Sequence, residues 1–129
     1  ASPYVDRDRW YVIPRSADSH DYVQCLLNGF PVTFLIDTGA TKTAIGLRVA
    51  KNAGIRAGVT GQVSTANGVG QAMETTGNQM LVGAFTLSDV PVVVSLNQAN
   101  GDLALLGMDV LKRFRIFQGS DSLQLQRIN

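Results

Sequence analysis

The sequence is short of several things, and each shortage closes off a class of protein. It has a single cysteine, Cys25, in 129 residues. That excludes an internal disulfide and any multi-cysteine zinc site. It has a single histidine, His20, and a single glutamate, Glu74; every other acid is Asp. Asp favours turns and caps over helix interiors, so this choice of acid fits a chain poor in helix. No apolar run reaches the ~18 residues that a membrane-spanning helix needs. Charge of neither sign dominates: 11 basic and 10 acidic residues leave a net charge of +1. Nothing in that balance argues for nucleic acid or a membrane surface as a partner.

What is present is the composition of an ordinary globular domain. The chain is 45% hydrophobic and 16% charged, and its length fits one domain with a real core. Thirteen glycines and abundant Val, Thr and Phe point to sheet. The chain opens on Ala1, which leaves a leader or anchor upstream as an expectation.

Along the chain, residues 1–9 (ASPYVDRDR) read as a flexible, solvated arm ahead of a single domain over 10–129. "WYVIP" predicts a short edge strand ended by Pro14. "DYVQCLL" and "PVTFLID" flank Asn28-Gly29, a strong hairpin signal. "AIGLRVAKNAG" predicts a short helix with Ile45 and Val49 inward and Gly54 as its stop. "GQVSTA" and "QAMETTGNQMLV" enclose a second hairpin signal, Asn67-Gly68. "FTLSDVPVVVSL" is a strand in which Pro91 marks an edge or bend. "DLALLGMDVLKRF" reads as a short buried strand, Gly107 and a brief helix from Met108 to Phe114. "RIFQ" and "LQLQRI" form a closing hairpin. Its Leu123, Leu125 and Ile128 share one face and suit either a strand that joins two copies or an edge packed on its own core.

The chemistry centres on "FLIDTGAT", residues 34–41, where an apolar strand runs straight into an acid. An unpaired carboxylate in an apolar setting is costly, so Asp37 is either a surface turn residue or a half-buried, protonation-tunable group. Gly39 has no side chain and lets backbone N–H groups approach the carboxylate. Thr38 adds a hydroxyl that can tie the turn to a neighbour. Other candidates are weaker. Cys25 sits mid-strand, where a small buried thiol is the common outcome and a nucleophile is not. "GVGQ" at 68–71 lacks the third glycine and the helix of a nucleotide-binding loop. Lys112, Arg113 and Arg115 read as the solvated face of the last helix.

Three motifs in order, "FLIDTGA", the Gly-bearing hairpin "STANGVGQA" and "LLGMDVLKRF", resemble the retropepsin-like aspartic proteases over roughly residues 20–127. The likeness is strongest to single-domain bacterial members, and the last motif also resembles the protease domain of DNA-damage-inducible ubiquitin-shuttle proteins. The resemblance implies a mostly β fold: a small closed barrel with one or two short helices and a flap hairpin. It implies Asp37 as the catalytic aspartate and Thr38, Gly39 and Ala40 as its loop. Ala66, Asn67, Gly68 and Val69 become the substrate-covering flap, and Leu105, Leu106 and Gly107 a structural strut beneath the loop. Asp109 is the tempting second acid, but its place ahead of "VLKRF" suits a cap or support of the short helix. Two carboxylates are needed and the chain has one such motif, so the resemblance implies a homodimer acting on a peptide or protein, without metal or cofactor. It also implies a periplasm-facing envelope protein held by an anchor upstream. The other reading is a catalytically weak dimerising or peptide-binding module on the same fold.

Overall fold

The computed structural model describes residues 1–55, 59–65 and 68–128. Strand runs dominate, as the Val, Thr and Gly content predicts, and they build two sheets. The larger one starts from the hairpin of β3 (Tyr22–Leu27) and β4 (Phe30–Ile36). Asn28 and Gly29 both have positive φ, 50° and 86°, the requirement of a primed two-residue turn that matches strand twist. Leu27 therefore pairs with Phe30 and the register runs back to Tyr22 opposite Leu35.

Five further strands complete this sheet: β5 (Ala44–Ile45), β6 (Val59–Thr65), β7 (Gly68–Val82), β8 (Phe85–Ser95) and β9 (Ala104–Leu106). The order is β3-β4-β9-β5-β8-β7-β6, and a β3–β7 pairing closes it into a barrel of six strands with β6 outside the ring. β6 and β7 form the long hairpin expected from the second turn signal. Its last pair is Thr65 with Gly68, so Gly68 is the first residue of β7. Ala66 and Asn67, the other half of the expected flap tip, lie outside the described residues.

Of the two expectations for Pro91, an edge or a bend, β8 rules out the edge and keeps the bend. Pro91 sits inside a central strand, flanked by β5 and β7, not at an edge. A bulge makes this possible: the β7–β8 register shifts between Thr75 and Met80, and Asp89 takes φ 53°. Buried Asn78 fills the irregularity, donating to Val90 O at 2.9 Å and Thr75 Oγ1 at 3.0 Å, so its own buried amide is satisfied.

The first helix is shorter than "AIGLRVAKNAG" suggests. α1 covers Leu47–Asn52, and Ala44–Ile45 instead form β5, parallel to β8 and antiparallel to β9. Gly54, at φ 68°, ends the helical segment as expected. The second helix, α2 (Met108–Leu111), also stops early, because Phe114 already belongs to the next strand.

The smaller sheet has the order β1-β2-β11-β10, from β1 (Tyr4–Val5), β2 (Tyr11–Pro14), β10 (Phe114–Gln118) and β11 (Ser122–Arg127). Within residues 1–9, Tyr4 and Val5 thus pair with β2, which has neighbours on both sides and is not an edge. β11 is likewise interior. Its alternating Leu123 and Leu125 are 2% and 0% exposed and pack on the chain's own core, so they are unavailable to join two copies. The core unites both sheets around Phe34, Leu27, Met80, Leu106, Leu111 and Leu125. Truncating Phe34 to Ala there would cost about 3–5 kcal/mol.

Candidate active site

The apolar run before Asp37 is the inner length of β4. Phe34 is fully buried in the core, while Leu35 and Ile36 are half-buried and pair in parallel with Leu105 and Leu106 of β9. Asp37 is the next residue. Its N–H donates to Leu106 O at 3.0 Å, and Ala40 N–H closes the following turn onto Asp37 O at 3.1 Å. The carboxylate is half-buried. Its Oδ1 accepts from Gly39 N–H at 3.0 Å, and Oδ2 has no partner among the described residues. A Cβ on Gly39 would lie 3.3 Å from that same Oδ1, so glycine here preserves a close approach, not an unusual φ. Thr38 is exposed, and its hydroxyl bonds to nothing among the described residues.

What fixes the loop is the crossing beneath it. Gly107 follows β9 and passes against the backbone of residues 42 and 43. A Cβ there would fall 2.5 Å from Lys42 C and O and 2.9 Å from Thr43 N, and only glycine permits that contact. The first N–H groups of α2, which a helix cannot satisfy itself, donate back to the loop. Met108 N reaches Ala40 O at 2.8 Å and Asp109 N reaches Thr41 O at 3.1 Å.

Thr43 is the hub of this crossing. It is 0% exposed. Its hydroxyl donates to Asp109 Oδ1 at 2.7 Å and accepts from Gly107 N–H at 3.0 Å. Asp109 Oδ1 also accepts from Thr43 N–H at 3.0 Å. Asp109 is therefore committed to the loop's exit. It does not cap α2, whose N-cap, Gly107, carries no side-chain cap bond, but it stands as the acid in the first turn of that helix. Sequence reasoning passed over Thr43; a β-branched hydroxyl entering a short strand is a weak signal until Gly107 and Asp109 are placed beside it.

It also passed over an ion pair between Lys42, the loop's sixth residue counted from Asp37, and Glu74 on β7. Lys42 Nζ lies 2.9 Å from Glu74 Oε1, both side chains 50% exposed, and the pair ties the end of the Asp37 loop to the base of the β6–β7 hairpin. Among the described residues, no three His, Cys, Asp or Glu side chains converge as a metal site requires. Cys25 is buried in β3, and burial pushes its thiol up to about 12. His20 is exposed and packs edge-on to Tyr22, so the two form no nucleophile–base pair.

Two open grooves, of about 380 and 300 Å³, lie elsewhere. One is lined by Tyr11, Cys25 and Leu81 among others and one by Lys112, Arg113 and Ile128 among others, and neither includes Asp37.

Comparison with known proteins agrees with this geometry. A family model described as "gag-polyprotein putative aspartyl protease" matches residues 23–113. The "uncharacterized protein RP867" of Rickettsia prowazekii is 32% identical over 110 residues, 83% of this chain and 46% of that protein. The chain thus spans about half the length of this curated relative. A retropepsin-like aspartic protease from Rickettsia conorii superposes with a TM-score of 0.76 at 29% identity, over 90% of this chain and 89% of that one. EIAV protease, solved with the inhibitor HBY-793, gives a TM-score of 0.60 at 16% identity over 78% and 92% of the two chains, a likeness of fold alone. With its Asp-Thr-Gly loop seated over the Leu-Leu-Gly crossing, the chain belongs to the retropepsin-like aspartic protease family.

Proposed function

We propose that this chain is an aspartic endopeptidase that works as a homodimer, with Asp37 of each copy forming one catalytic pair. The observation that carries the reading is the state of the Asp37 carboxylate: one oxygen is held by Gly39 N–H, the other is uncommitted among the described residues, and the loop is clamped from below. A carboxylate held this rigidly but left half satisfied is suited to chemistry more than to folding.

Two such groups brought together share one proton. The ionised carboxylate takes a proton from water as the water oxygen attacks the peptide carbonyl carbon. The protonated one donates to the carbonyl oxygen. The tetrahedral intermediate then collapses as a proton passes to the amide nitrogen and the C–N bond breaks.

The remaining residues take supporting roles. We assign the Thr38 hydroxyl to the contact between the two loops, Gly39 to holding the carboxylate, and Ala40 to the link with α2. Leu105, Leu106 and Gly107 are the strut. Ala66, Asn67, Gly68 and Val69 are assigned to covering the bound peptide. Residues 10–129 constitute the protease domain and 1–9 its arm. The resemblance of its motifs to single-domain bacterial members leads us to propose a periplasm-facing domain behind an upstream anchor.

The test is incubation with a diverse peptide library, with products identified by mass spectrometry. The wild type is expected to yield internal cleavage products, and Asp37→Asn to yield none. Products that persist in Asp37→Asn would reject Asp37 as the acid. Peptide binding without cleavage by the wild type would establish the binding module instead.

A further inference from the structure

The crossing at Gly107 holds the Asp37 loop on its exit side, from Ala40 onwards. Ahead of Asp37 the hold comes from another part of the chain. Ile36 N–H donates to Asp21 O at 2.8 Å, one residue beyond the pairing of Tyr22 with Leu35. Among the described residues, Asp21 is thus the last on the β3 side to bond β4 before the turn. On the other side of the strand, Asp37 N–H is held by Leu106 O.

Asp21 is itself fixed by Arg15. Its carboxylate is buried, and a charge so covered needs a partner. Arg15 Nε lies 3.4 Å from Asp21 Oδ1. The same guanidinium sends Nη1 to Ser120 O at 3.2 Å and Nη2 to Gly119 O at 3.3 Å. Arg15 N–H donates to Asp121 O at 2.9 Å. One residue therefore joins the end of β2, the turn between β10 and β11, and the residue that grips β4. The planar fork of arginine reaches several acceptors at fixed angles, which the point charge of lysine does not. The segment between Arg15 and Asp21 is closed on itself, with Ser19 N–H on Ser16 O at 3.0 Å and Ser16 N–H on His20 O at 3.2 Å. A displacement at Arg15 is passed on to Asp21, not absorbed between them. Bonds at the long end of the hydrogen-bonding range add little stability one by one, so this network governs where Asp21 stands more than how firmly the fold holds.

We propose that Arg15 and Asp21 are positioning residues for the Asp37 carboxylate, fixing the approach of β4 to the turn as Thr43 and Asp109 fix its exit. The proposal rests on the reading of Asp37 as the catalytic acid. A displacement of about 1 Å at a reacting group costs on the order of a hundredfold in rate. Asp37 follows directly on the residue that Asp21 grips, so a shift of Asp21 reaches it through a single peptide unit. Asp21 is buried and Arg15 commits three nitrogens to acceptors in its own chain. Neither offers a free group to a peptide, so their loss falls on kcat and leaves KM in place.

Arg15→Lys separates position from folding, because it keeps a cation for Asp21 and gives up the fork to residues 119 and 120. It is expected to keep the wild-type melting temperature and KM and to lower kcat about tenfold. Its Ile36 amide hydrogen should exchange with solvent about tenfold faster, while the Phe30 amide, at the turn end of the same hairpin, exchanges as in the wild type. Arg15→Ala should lose more kcat and regain part of it in millimolar guanidinium but not in methylammonium, which supplies the charge without the fork. A wild-type kcat in Arg15→Lys, or a kcat lost only in proportion to unfolded protein, would overturn the positioning role. Faster Ile36 exchange with kcat unmoved would overturn it too, since the network would then brace the fold alone. In each of these cases an inert Asp37→Asn would leave the reading of Asp37 standing. Cleavage that survived Asp37→Asn would overturn both.

Discussion

At the scale of single residues, the site separates two acids that the sequence sets in similar company. Asp37 keeps one oxygen uncommitted, whereas Asp109 Oδ1 receives two bonds from Thr43. An Asn at 109 can still accept both through its own Oδ1, so Asp109→Asn should retain activity within a few-fold of wild type. Asp37→Asn should abolish it. A folded but inactive Asp109→Asn, measured beside its circular dichroism, would return that residue to the list of catalytic acids. Thr43→Val is the opposite case. It removes the hydroxyl between Gly107 N–H and Asp109 and leaves a buried donor without a partner, at a cost of about 1–3 kcal/mol. Chemical denaturation should show that loss, and activity should fall with it as the loop loses its clamp.

Cys25 gives a residue-scale pH dependence. Its thiol titrates near 9.0 when exposed, and burial raises it to about 12 in the folded chain. Between those values the folded state binds more protons than the unfolded one, so stability falls as pH rises through that window. Below it the contribution is constant. Denaturant melts at pH 8, 9.5 and 10.5 should record a flat stretch and then a decline that Cys25→Ala reduces. Thiol alkylation at neutral pH should require unfolding.

At the scale of elements, what could be read from the sequence was what is locally encoded. Asn28-Gly29 announces its turn because both residues must adopt positive φ, a property of those two side chains. The Leu-Gln alternation of β11 announces a strand with one buried face. It does not say what covers that face, and the core of the same chain does. β5 reads as part of a helix in the sequence because two residues carry no period. They become a strand through β8 and β9, about fifty and sixty residues away. Thr43 was missed for the same reason, since its partner Gly107 lies 64 residues on. Asp37 was legible because an apolar strand that ends in Asp-Thr-Gly is unusual within a single short stretch.

The hairpin of β6 and β7 offers a test at this scale. The Lys42–Glu74 pair is half exposed on both sides, where such a pair contributes about 1 kcal/mol at most. Glu74→Gln should therefore leave the melting temperature nearly unchanged. Its effect should fall on KM for peptide, which should rise several-fold as the hairpin base loosens from the catalytic loop. High salt, which screens exposed pairs, should bring the wild type towards the variant. A drop in melting temperature with KM unmoved would show that the pair braces the fold and has no part in covering substrate.

At the scale of the whole molecule, the arrangement of strands decides how two copies can meet. The chain fills its own four-stranded sheet from both termini, so neither β2 nor β11 is free to exchange with another chain. Any partner must add to the outside of this sheet or meet the molecule elsewhere. In the proposed homodimer, half a catalytic pair per chain makes activity a property of association, and mass action supplies its signature. Specific activity should rise with protein concentration below the dimer dissociation constant and level off above it. In the rising range, where the dimer is the minority, the dependence is close to first order in total chain. A peptide substrate bound across both copies should shift the curve to lower protein concentration, because a ligand that binds only the dimer stabilises it. Stopped assays over a thousandfold dilution series, beside sedimentation velocity on the same samples, provide the measurement. A specific activity that stays constant across dilutions where sedimentation reports monomer would mean that one Asp37 suffices, and the shared carboxylate pair would have to be given up.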